Sequence, residues 1–356
     1  MAKKGTIASI DVGSTKVCSI LANVGDGGAF RVLGVGVAPS NGLRRGLVVN
    51  IDEAKESIRE SVRRAERASG VGIDSAYVGV TGRHINSANN QGVVAISHGD
   101  KLVAPGDLKR VLESARSINV PSDRRLLHVI PRHYTLDGHV GVQKPVGMNG
   151  FRLDVETHII TAGRLVDGDL VKCIRGVGVE IEDLILEPPA SSEAVLAPDE
   201  TNSGVILADI GGGTTDIAVF RDGSIWHTSV LPVGGYQVTK DISIGLGVPF
   251  DVAEEMKKKY GKAISIQNGM VETHTSGEQN GHSVATHDLC EIIRARIEEI
   301  LRLILLELPG SNYEALVPSG LVLCGGTSNL PGIETLGQQI LRMPVRVGIP
   351  KGMYGI

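Results

Sequence analysis

Two stretches of the sequence place an aspartate at the end of an apolar segment and follow it with glycine and hydroxyl residues. The first begins at Asp11 and the second at Asp209. A phosphate group needs several converging backbone N–H groups, and glycines and small hydroxyl residues let the backbone approach it closely. The pattern therefore predicts two phosphate-binding turns. Their predicted contacts are Gly13, Ser14, Thr15 and Lys16 in the first turn, and Gly211, Gly212, Gly213, Thr214 and Thr215 in the second.

A carboxylate at the end of each preceding strand can hold Mg²⁺, either directly or through the water that this ion retains. Asp11 and Asp209 are the predicted ligands. One such turn alone is more often an ordinary hairpin, but a matched pair 198 residues apart indicates an internal duplication. Lys16 is predicted to contact phosphate as a point charge, with a solvated turn lysine as the alternative.

Two further glycine pairs, Gly234-Gly235 and Gly325-Gly326, are predicted to lie around the same ligand. The second pair follows an apolar strand and precedes Thr327, so an adenine ring or ribose could lie on its bare backbone; a strand-to-helix turn is the alternative. Glu254 and Lys257 are three residues apart on a predicted helix and share a face. They are predicted to bind ribose hydroxyls, with a solvated charge pair as the alternative.

The elements that must position these residues follow from apolar periodicity. The segment 51–69 has the spacing of an amphipathic helix, and Gly70 follows its end as a C-cap. Short apolar runs bounded by turn residues predict strands. The predicted strands are 7–10, 17–24, 30–37 and 76–80 around the first turn, and 205–208, 217–220, 224–229 and 320–324 in the second half.

Two segments have a different character and are predicted to be insertions. The segment from Arg83 to about Thr161 contains two strands and one helix, which predicts an α+β subdomain. The second is rich in helix, with a long apolar stripe from Asp288 to Leu308. The predicted elements are strands 92–97 and 126–136 with helix 105–117 in the first insertion, and helices 238–245, 250–260 and 288–308 in the second.

Composition limits the classes of protein. A length of 356 residues predicts about two domains at ~150 residues each. A net charge of −4 and 3% aromatic residues give no reason to expect nucleic-acid binding. The four cysteines form no metal or redox motif, and no signal peptide or membrane span is recognisable. These features predict a soluble chain of a reducing cytosol.

The order of the three glycine signals resembles the actin and sugar-kinase ATPase superfamily. The resemblance implies an α/β fold of two actin-like, ribonuclease H-like domains, with ATP and Mg²⁺ in the cleft between them. The connecting helix would lie at 186–195, with small residues at the hinge. In that superfamily a polar residue here can position the attacking water, and Glu187 is the only nearby candidate, so any ATPase activity is expected to be weak.

Three segments, 80–85, 130–138 and 144–150, are similar to FtsA, the family of bacterial division actins. The resemblance implies an inserted subdomain 1C in place of the usual actin subdomain 1B. It also implies filament formation and recruitment of the tubulin-like FtsZ to the cytoplasmic face of the membrane at the division septum. The implied domains are 1A at 1–83 and 162–195, 1C at 84–161, 2A at 196–235 and 311–356, and 2B, which is helical, at 236–310.

The resemblance further implies partners. The FtsZ C-terminal peptide would dock on the helical subdomain 2B, where Arg294, Arg296 and Arg302 suit an acidic, apolar peptide; a solvated helix face is the alternative. Other division proteins would bind subdomain 1C. The family continues beyond the strand at 345–349 with a helix, a linker and an amphipathic membrane helix, so the chain is expected to be truncated and its domain 2A incomplete.

Two competing functions share the superfamily. A small-molecule kinase of the sugar type would need a catalytic base and a sugar pocket, and no clear base stands beyond the carboxylates of the two turns. A pilus-assembly actin-like ATPase would bind a short peptide at the inserted subdomain, and the segment 145–150 favours the division protein over it.

Overall fold

A computed structural model describes residues 5–25, 28–266, 269–273, 282–309 and 316–355. The strands are β1 Thr6–Val12, β2 Lys16–Val24, β3 Phe30–Pro39, β4 Leu43–Arg44, β5 Leu47–Val48, β6 Ser75–Val80, β7 Asn86–Ala95, β8 Arg124–Leu136, β9 His139–Val142, β10 Arg152–Gly163, β11 Glu180–Leu186, β12 Val205–Ile210, β13 Thr215–Arg221, β14 Ser224–Leu231, β15 Met270–Thr273, β16 His282–Ala285, β17 Leu321–Cys324, β18 Val345–Val347 and β19 Met353–Tyr354. The helices are α1 Ile51–Ser69, α2 Pro105–Arg116, α3 Arg164–Arg175, α4 Glu187–Val195, α5 Pro198–Ser203, α6 Gly235–Leu246, α7 Phe250–Tyr260, α8 Thr286–Leu306 and α9 Ile333–Leu341, with a 3₁₀ turn at Gly326–Asn329.

The first half is built on a six-stranded sheet in the order β11-β6-β1-β2-β3-β19. Strands β1, β2 and β3 form an antiparallel meander, and β6 runs parallel to β1. Helix α1 packs on this sheet because its apolar residues recur every three or four positions. The Asn50 side chain caps its first turn, and Gly70 ends it in the left-handed conformation, as predicted.

The second half repeats this plan in a five-stranded sheet, in the order β14-β13-β12-β17-β18. Strands β12, β13 and β14 form the antiparallel meander here, and β17 pairs parallel to β12. The long helix α8 buries an unbroken apolar stripe that includes Leu289, Ile293, Ile297 and Ile304. The predicted duplicated α/β fold is therefore confirmed.

The inserted subdomain is a four-stranded antiparallel sheet, in the order β7-β10-β8-β9, with α2 on one face. The sequence did not predict β10, although this strand lies in the interior of the sheet. It is buried on both faces and carries buried polar residues at Asp154, Thr157 and His158. A strand of this kind shows no apolar alternation, which explains why the periodicity missed it.

The inserted subdomain also contacts the second half directly, through β14. The Ser87 hydroxyl donates to the carbonyl of Thr228 at 2.9 Å, and the guanidinium of Arg132 lies 3.9 Å from the centre of the Trp226 ring. His158 bonds the Thr228 hydroxyl at 2.9 Å, and burial lowers the pKa of this imidazole to about 4. The insertion thus touches both halves of the molecule.

The last strand, β19, joins the edge of the first sheet beside β3. The resemblance implies that the whole of 311–356 belongs to the second half, and the pairing of β19 with β3 differs from that expectation. The expected boundary at 310/311 lies outside the described residues. Over the described ranges, none of the helices combines the length and the apolar character needed to span a membrane.

Candidate functional site

The first turn is a tight hairpin between β1 and β2. The Gly13 N–H donates to the carbonyl of Lys16 at 3.1 Å, which leaves Ser14 and Thr15 at the tip. Behind the tip, Asp11 pairs across the strands with Cys18. The Ser14 hydroxyl accepts a hydrogen bond from the N–H of Gly46 at 3.0 Å. The turn therefore presents two hydroxyl side chains and a lysine.

The second turn repeats this backbone with other side chains. The Gly211 N–H donates to the carbonyl of Thr214 at 2.9 Å, so that Gly212 and Gly213 occupy the tip. Asp209 pairs with Asp216 across β12 and β13. The 198-residue offset holds at every position of the two hairpins. The second turn thus presents bare backbone where the first presents side chains.

The structure brings the two tips together. A Cβ atom on Gly212 would overlap the hydroxyl of Thr15, and one on Gly213 would lie 2.6 Å from the hydroxyl of Ser14. Side chains at these two positions would push the turns apart, so glycine is required by the close approach. We call the region bounded by the two turns and the carboxylates behind them the cleft.

Four carboxylates from both halves converge behind the tips. Water reaches Asp11 from the cleft, yet the protein atoms packed around it raise the pKa of its carboxyl to about 6, and the charge of Asp209 adds to the rise. Asp209 accepts a hydrogen bond from the Ser191 hydroxyl at 2.9 Å. Like charges held together in a crowded site favour binding of a cation or a proton.

Asp216 is the carboxylate that sequence reasoning missed. It is 1% exposed and accepts a short hydrogen bond from Thr81, which lies at the end of β6 in the other half. Burial raises the pKa of Asp216 to about 7. The hydrogen bond from Thr81 acts to lower this pKa, and the negative charge of Asp209 acts to raise it further. The signal available in the sequence was the hairpin register, because Asp216 lies directly opposite Asp209.

Glu187 begins α4 and lies beside the first turn. A Cβ atom on Gly79 would be 3.8 Å from both the Glu187 Cγ and the Asp11 Oδ1, which places the two acids on either side of β6. Burial and the charges of Asp216 and Asp11 raise the pKa of Glu187 well above its ordinary value. The predicted water-positioning residue is therefore at the cleft, in a setting that favours its protonated form.

The other glycine pairs form a close-packed backbone next to the second turn. A Cβ atom on Gly235 would lie 2.5 Å from the Thr327 hydroxyl, which donates to the carbonyl of Gly211 at 2.9 Å. Gly325 has a φ of 84° and faces the Asp209 carboxylate so closely that a Cβ would overlap it. Beside it, Gly326 faces open space. The structure thus gathers Gly234, Gly235 and 325–327 in one place, and their role around a common ligand stays a prediction.

Glu254 and Lys257 also lie at this end of the cleft. The Lys257 ammonium bonds the carbonyl of Gly235 at 3.1 Å, the Thr239 hydroxyl at 2.8 Å and the Glu254 carboxylate at 2.7 Å. Burial lowers the pKa of Lys257. Burial opposes ionisation of Glu254, but the bonds from Lys257 and Thr239 outweigh it and lower the pKa of the carboxyl. The pair is partly buried and bonded to the glycine backbone, unlike a solvated charge pair.

The residues at the cleft fit a polyphosphate and Mg²⁺ as ligands. Their donor set is bare backbone and hydroxyls at the tips, with oxygen-only ligands behind them, which is the set that Mg²⁺ prefers. Within the described ranges, no group of three or more His, Cys, Asp or Glu side chains is arranged to bind a metal directly. Mg²⁺ held through its own water would need no such group.

The three arginines predicted to bind a partner lie on α8, and each already has an acidic neighbour. Arg294 pairs with Glu291, Arg302 pairs with Glu298, and Arg296 pairs with Asp241 of α6 and with Glu299. The side chain of Arg302 is 61% exposed and that of Arg296 is 25% exposed. An incoming acidic peptide would therefore compete with these ion pairs.

Comparison with known proteins gives consistent results for both halves and the insertion. The family model for cell division protein FtsA matches residues 206–355, and the model for the SHS2 domain inserted in FtsA matches residues 82–161. The cell division protein FtsA of Pseudomonas aeruginosa is 41% identical over 98% of this chain, which covers 84% of that protein. The FtsA of Bacillus subtilis is 39% identical over 96% of this chain, which covers 78% of it.

Solved structures show the same fold at lower identity. The PilM–PilN type IV pilus biogenesis complex aligns with a TM-score of 0.66 and 17% identity, covering 96% of this chain and 87% of that one. MreB 5 of Spiroplasma citri bound to AMPPNP aligns with a TM-score of 0.59 and 14% identity, covering 97% of this chain and 92% of that one. At these identities the likeness establishes the fold alone.

Proposed function

The chain belongs to the FtsA family of cell-division proteins, and from this membership we propose that it is an actin-like subunit that binds Mg²⁺–ATP between its halves. We further propose that it assembles into filaments and tethers FtsZ to the cytoplasmic face of the membrane at the division site. The observation that carries the nucleotide part is the meeting of two register-matched turns, 198 residues apart, at one cleft.

In this proposal the phosphates bind at the two tips. The hydroxyls of Ser14 and Thr15 and the ammonium of Lys16 contact them from the first half. The backbone of Gly211, Gly212 and Gly213 contacts them from the second half. The side chains of Thr214 and Thr215, which the sequence also predicted as contacts, are buried, and the Thr215 hydroxyl donates to the carbonyl of Val233 at 2.8 Å, so we assign these two side chains to holding the turn. A ligand held by both halves stabilises their closed arrangement, because it binds that arrangement better than an open one. Two MreB 5 structures of this fold are bound to AMPPNP and to ADP, which supports a nucleotide as the class of ligand.

The carboxylates are proposed to hold Mg²⁺ through its water, with Asp11 and Asp209 as the principal partners. Burial raises the pKa of Asp11 and Asp216, and the negative charge of Asp209 adds to the rise; a divalent cation would offset the part that comes from this charge. The adenosine is assigned to the glycine backbone at 234–235 and 325–327, with Glu254 and Lys257 beside it. These last two already bond the Gly235 backbone, which fixes their position.

Glu187 is proposed to position a water molecule, and hydrolysis is expected to be slow. A general base must be ionised at the working pH, and both burial and neighbouring acids favour the protonated form of Glu187. The nucleotide would then serve mainly to set the arrangement of the halves. We also propose the domain boundaries stated from the sequence for 1A, 1C, 2A and 2B, with β19 assigned to the first sheet.

The FtsZ C-terminal peptide is proposed to bind α8, and Arg302 is expected to contribute most because it is the most exposed of the three arginines. Arg294→Glu combined with Arg302→Glu should weaken binding of a fluorescent FtsZ tail peptide by about tenfold. Arg63→Glu, an exposed arginine on α1 of the other half, is the matched control. Equal anisotropy titrations for all three proteins would remove α8 as the docking site.

The proposed function as a whole is tested by pelleting the chain with FtsZ and with lipid vesicles, with and without ATP. Co-sedimentation with FtsZ that depends on an intact α8 supports the tethering role. If the chain does not co-sediment with FtsZ and transfers phosphate from ATP to small sugars, the result would instead support the kinase alternative. Retention by a short pilus-type peptide at the inserted subdomain, without FtsZ binding, would support the pilus alternative.

A further inference from the structure

The short hairpin of β4 and β5 has an unusual residue at its tip. Leu43 pairs with Val48 and Arg44 with Leu47, so Arg45 and Gly46 form a two-residue turn. Both have positive φ, 52° at Arg45 and 74° at Gly46. A turn with two positive φ values favours Asn, Asp or Gly at its first position, and a long side chain there is uncommon. Lys101 and Arg342 also have positive φ, so the case for a function at Arg45 rests on this conformation together with the place where its turn lies.

This tip lies against both turns of the cleft. The Gly46 N–H donates to the Ser14 hydroxyl at 3.0 Å, which ties the hairpin to the first turn. The Arg45 Cα lies 3.1 Å from the position that a Cβ on Gly213 would take, which places it against the second turn. A Cβ on Gly46 would come within 2.7 Å of the carbonyl of Thr81, the residue that bonds Asp216.

Arg45 is exposed, and it takes part in no ion pair with any carboxylate in the described part of the chain. Arg59 and Arg64 on α1 are paired with glutamates, whereas Arg44 and Arg63 are, like Arg45, exposed and in no ion pair in the described part of the chain; Arg45 differs from these two in lying against both turns. A polyphosphate bound at the tips would carry several negative charges, and the turns themselves supply one cation, Lys16. A polyphosphate in this cleft would therefore have a second cation next to it.

We propose that Arg45 is a phosphate-binding residue of this cleft, which contacts the terminal phosphate of the nucleotide from the first half while the Gly213 backbone contacts it from the second. This inference rests on the proposed nucleotide function. A guanidinium stays charged at every physiological pH and matches phosphate oxygens with two parallel hydrogen bonds. The left-handed backbone is retained at Arg45 because the more favourable Asn or Gly would lack this reach and charge.

The test compares Arg45→Asn, Arg45→Gly and the neighbouring control Arg44→Asn, with binding of Mg²⁺–ATP and Mg²⁺–ADP measured by calorimetry. Both Arg45 variants should bind ATP about tenfold more weakly, which corresponds to ~1.4 kcal/mol, and should lose less affinity for ADP. The thermal midpoint should not fall, because Asn and Gly accept the left-handed conformation. Arg44→Asn should bind both nucleotides as the unmodified chain does.

The outcomes separate this inference from the proposed function. If the unmodified chain binds neither nucleotide, the proposed function fails and this inference fails with it. If the unmodified chain binds ATP and both Arg45 variants bind it equally well, the assignment of Arg45 is overturned while the nucleotide function stands. Equal losses for ATP and ADP would also overturn it, because the terminal phosphate would then not be the contact.

Discussion

The two turn hairpins share one backbone and differ in nearly every side chain that faces the cleft. At equivalent positions, the first has Ser14 and Thr15 at its tip and the second has two glycines. Lys16 corresponds to Thr214, and Cys18 corresponds to Asp216. Their surroundings differ as well, since β12 and β13 are buried along almost their whole length, whereas β1 is exposed at every other residue.

The difference shows how a duplicated unit can divide one task. Two tips with side chains could not approach as these do, and two bare tips would offer no lysine or hydroxyls. In the proposed site, the first hairpin would contribute a lysine and two hydroxyls, and the second would contribute bare backbone, the room for close approach and a second carboxylate. Each of the following substitutions makes one hairpin more like the other or removes what they share.

The largest effect is expected where the two hairpins are the same. Asp209→Asn should weaken Mg²⁺–ATP binding by about a hundredfold, ~2.8 kcal/mol, because it removes one of the two carboxylates at the strand ends. Calorimetry measures the loss. Asp222→Asn, in the exposed turn after β13, is the control and should bind normally. Unchanged affinity in Asp209→Asn would remove the metal assignment.

Asp216→Asn removes the carboxylate that the first hairpin lacks. Because the pKa of Asp216 is about 7 in the folded chain and 3.8 ordinarily, the folded chain holds this proton more tightly. The resulting stabilisation is complete below about pH 4 and is lost as the pH rises through 7. Between pH 5 and pH 8 and without nucleotide, the free energy of unfolding should fall in both proteins. The fall should be ~2 kcal/mol smaller in Asp216→Asn than in the unmodified chain.

Urea titrations at the two pH values measure this difference. Cys18→Asp is the reciprocal experiment, because it places a carboxylate opposite Asp11. It should make the free energy of unfolding fall more steeply with pH than in the unmodified chain. Parallel pH profiles for the unmodified chain and Asp216→Asn would show that Asp216 titrates normally in the folded chain.

Gly212→Ala tests the contact between the tips. Its Cβ would overlap the Thr15 hydroxyl, so the free energy of unfolding should fall by about 1 kcal/mol. Adding Thr15→Gly to this variant removes the side chain that the new Cβ would overlap. The double variant should therefore regain most of the lost free energy of unfolding. Additive losses in the double variant would contradict a contact between the two tips.

The smallest effect is expected for Lys16→Thr, which copies Thr214 into the first hairpin. ATP affinity should fall by about threefold in low salt and by less in high salt, since an exposed charge is screened. Lys109→Thr on the inserted subdomain is the control, and it should show neither the loss nor the salt dependence. A loss that does not change with salt would contradict a charge contact.

Much of the fold and the glycine-rich part of the site could be predicted from local patterns. The turns follow from an aspartate, glycines and hydroxyls over a few residues, and α1 follows from its period and caps. The bond from Thr81 to Asp216 joins residues 135 positions apart, and no local pattern encodes it. Arg45 was missed for a related reason, because its left-handed backbone and its place at the cleft emerge only in three dimensions.

The position of β19 has a consequence for the order in which the molecule can form. Met353 pairs with Phe30, so the first sheet acquires its outermost strand from a segment that a ribosome makes more than three hundred residues later. Until then the end of β3 at Phe30 and Arg31 is unpaired on this side, whereas the rest of β3, with the exposed Val35 and Val37, stays an open edge in the finished chain. Such an edge can pair with other chains. During synthesis this end of the first sheet is therefore more open to pairing with other chains than it is later, although its helix and meander are already complete.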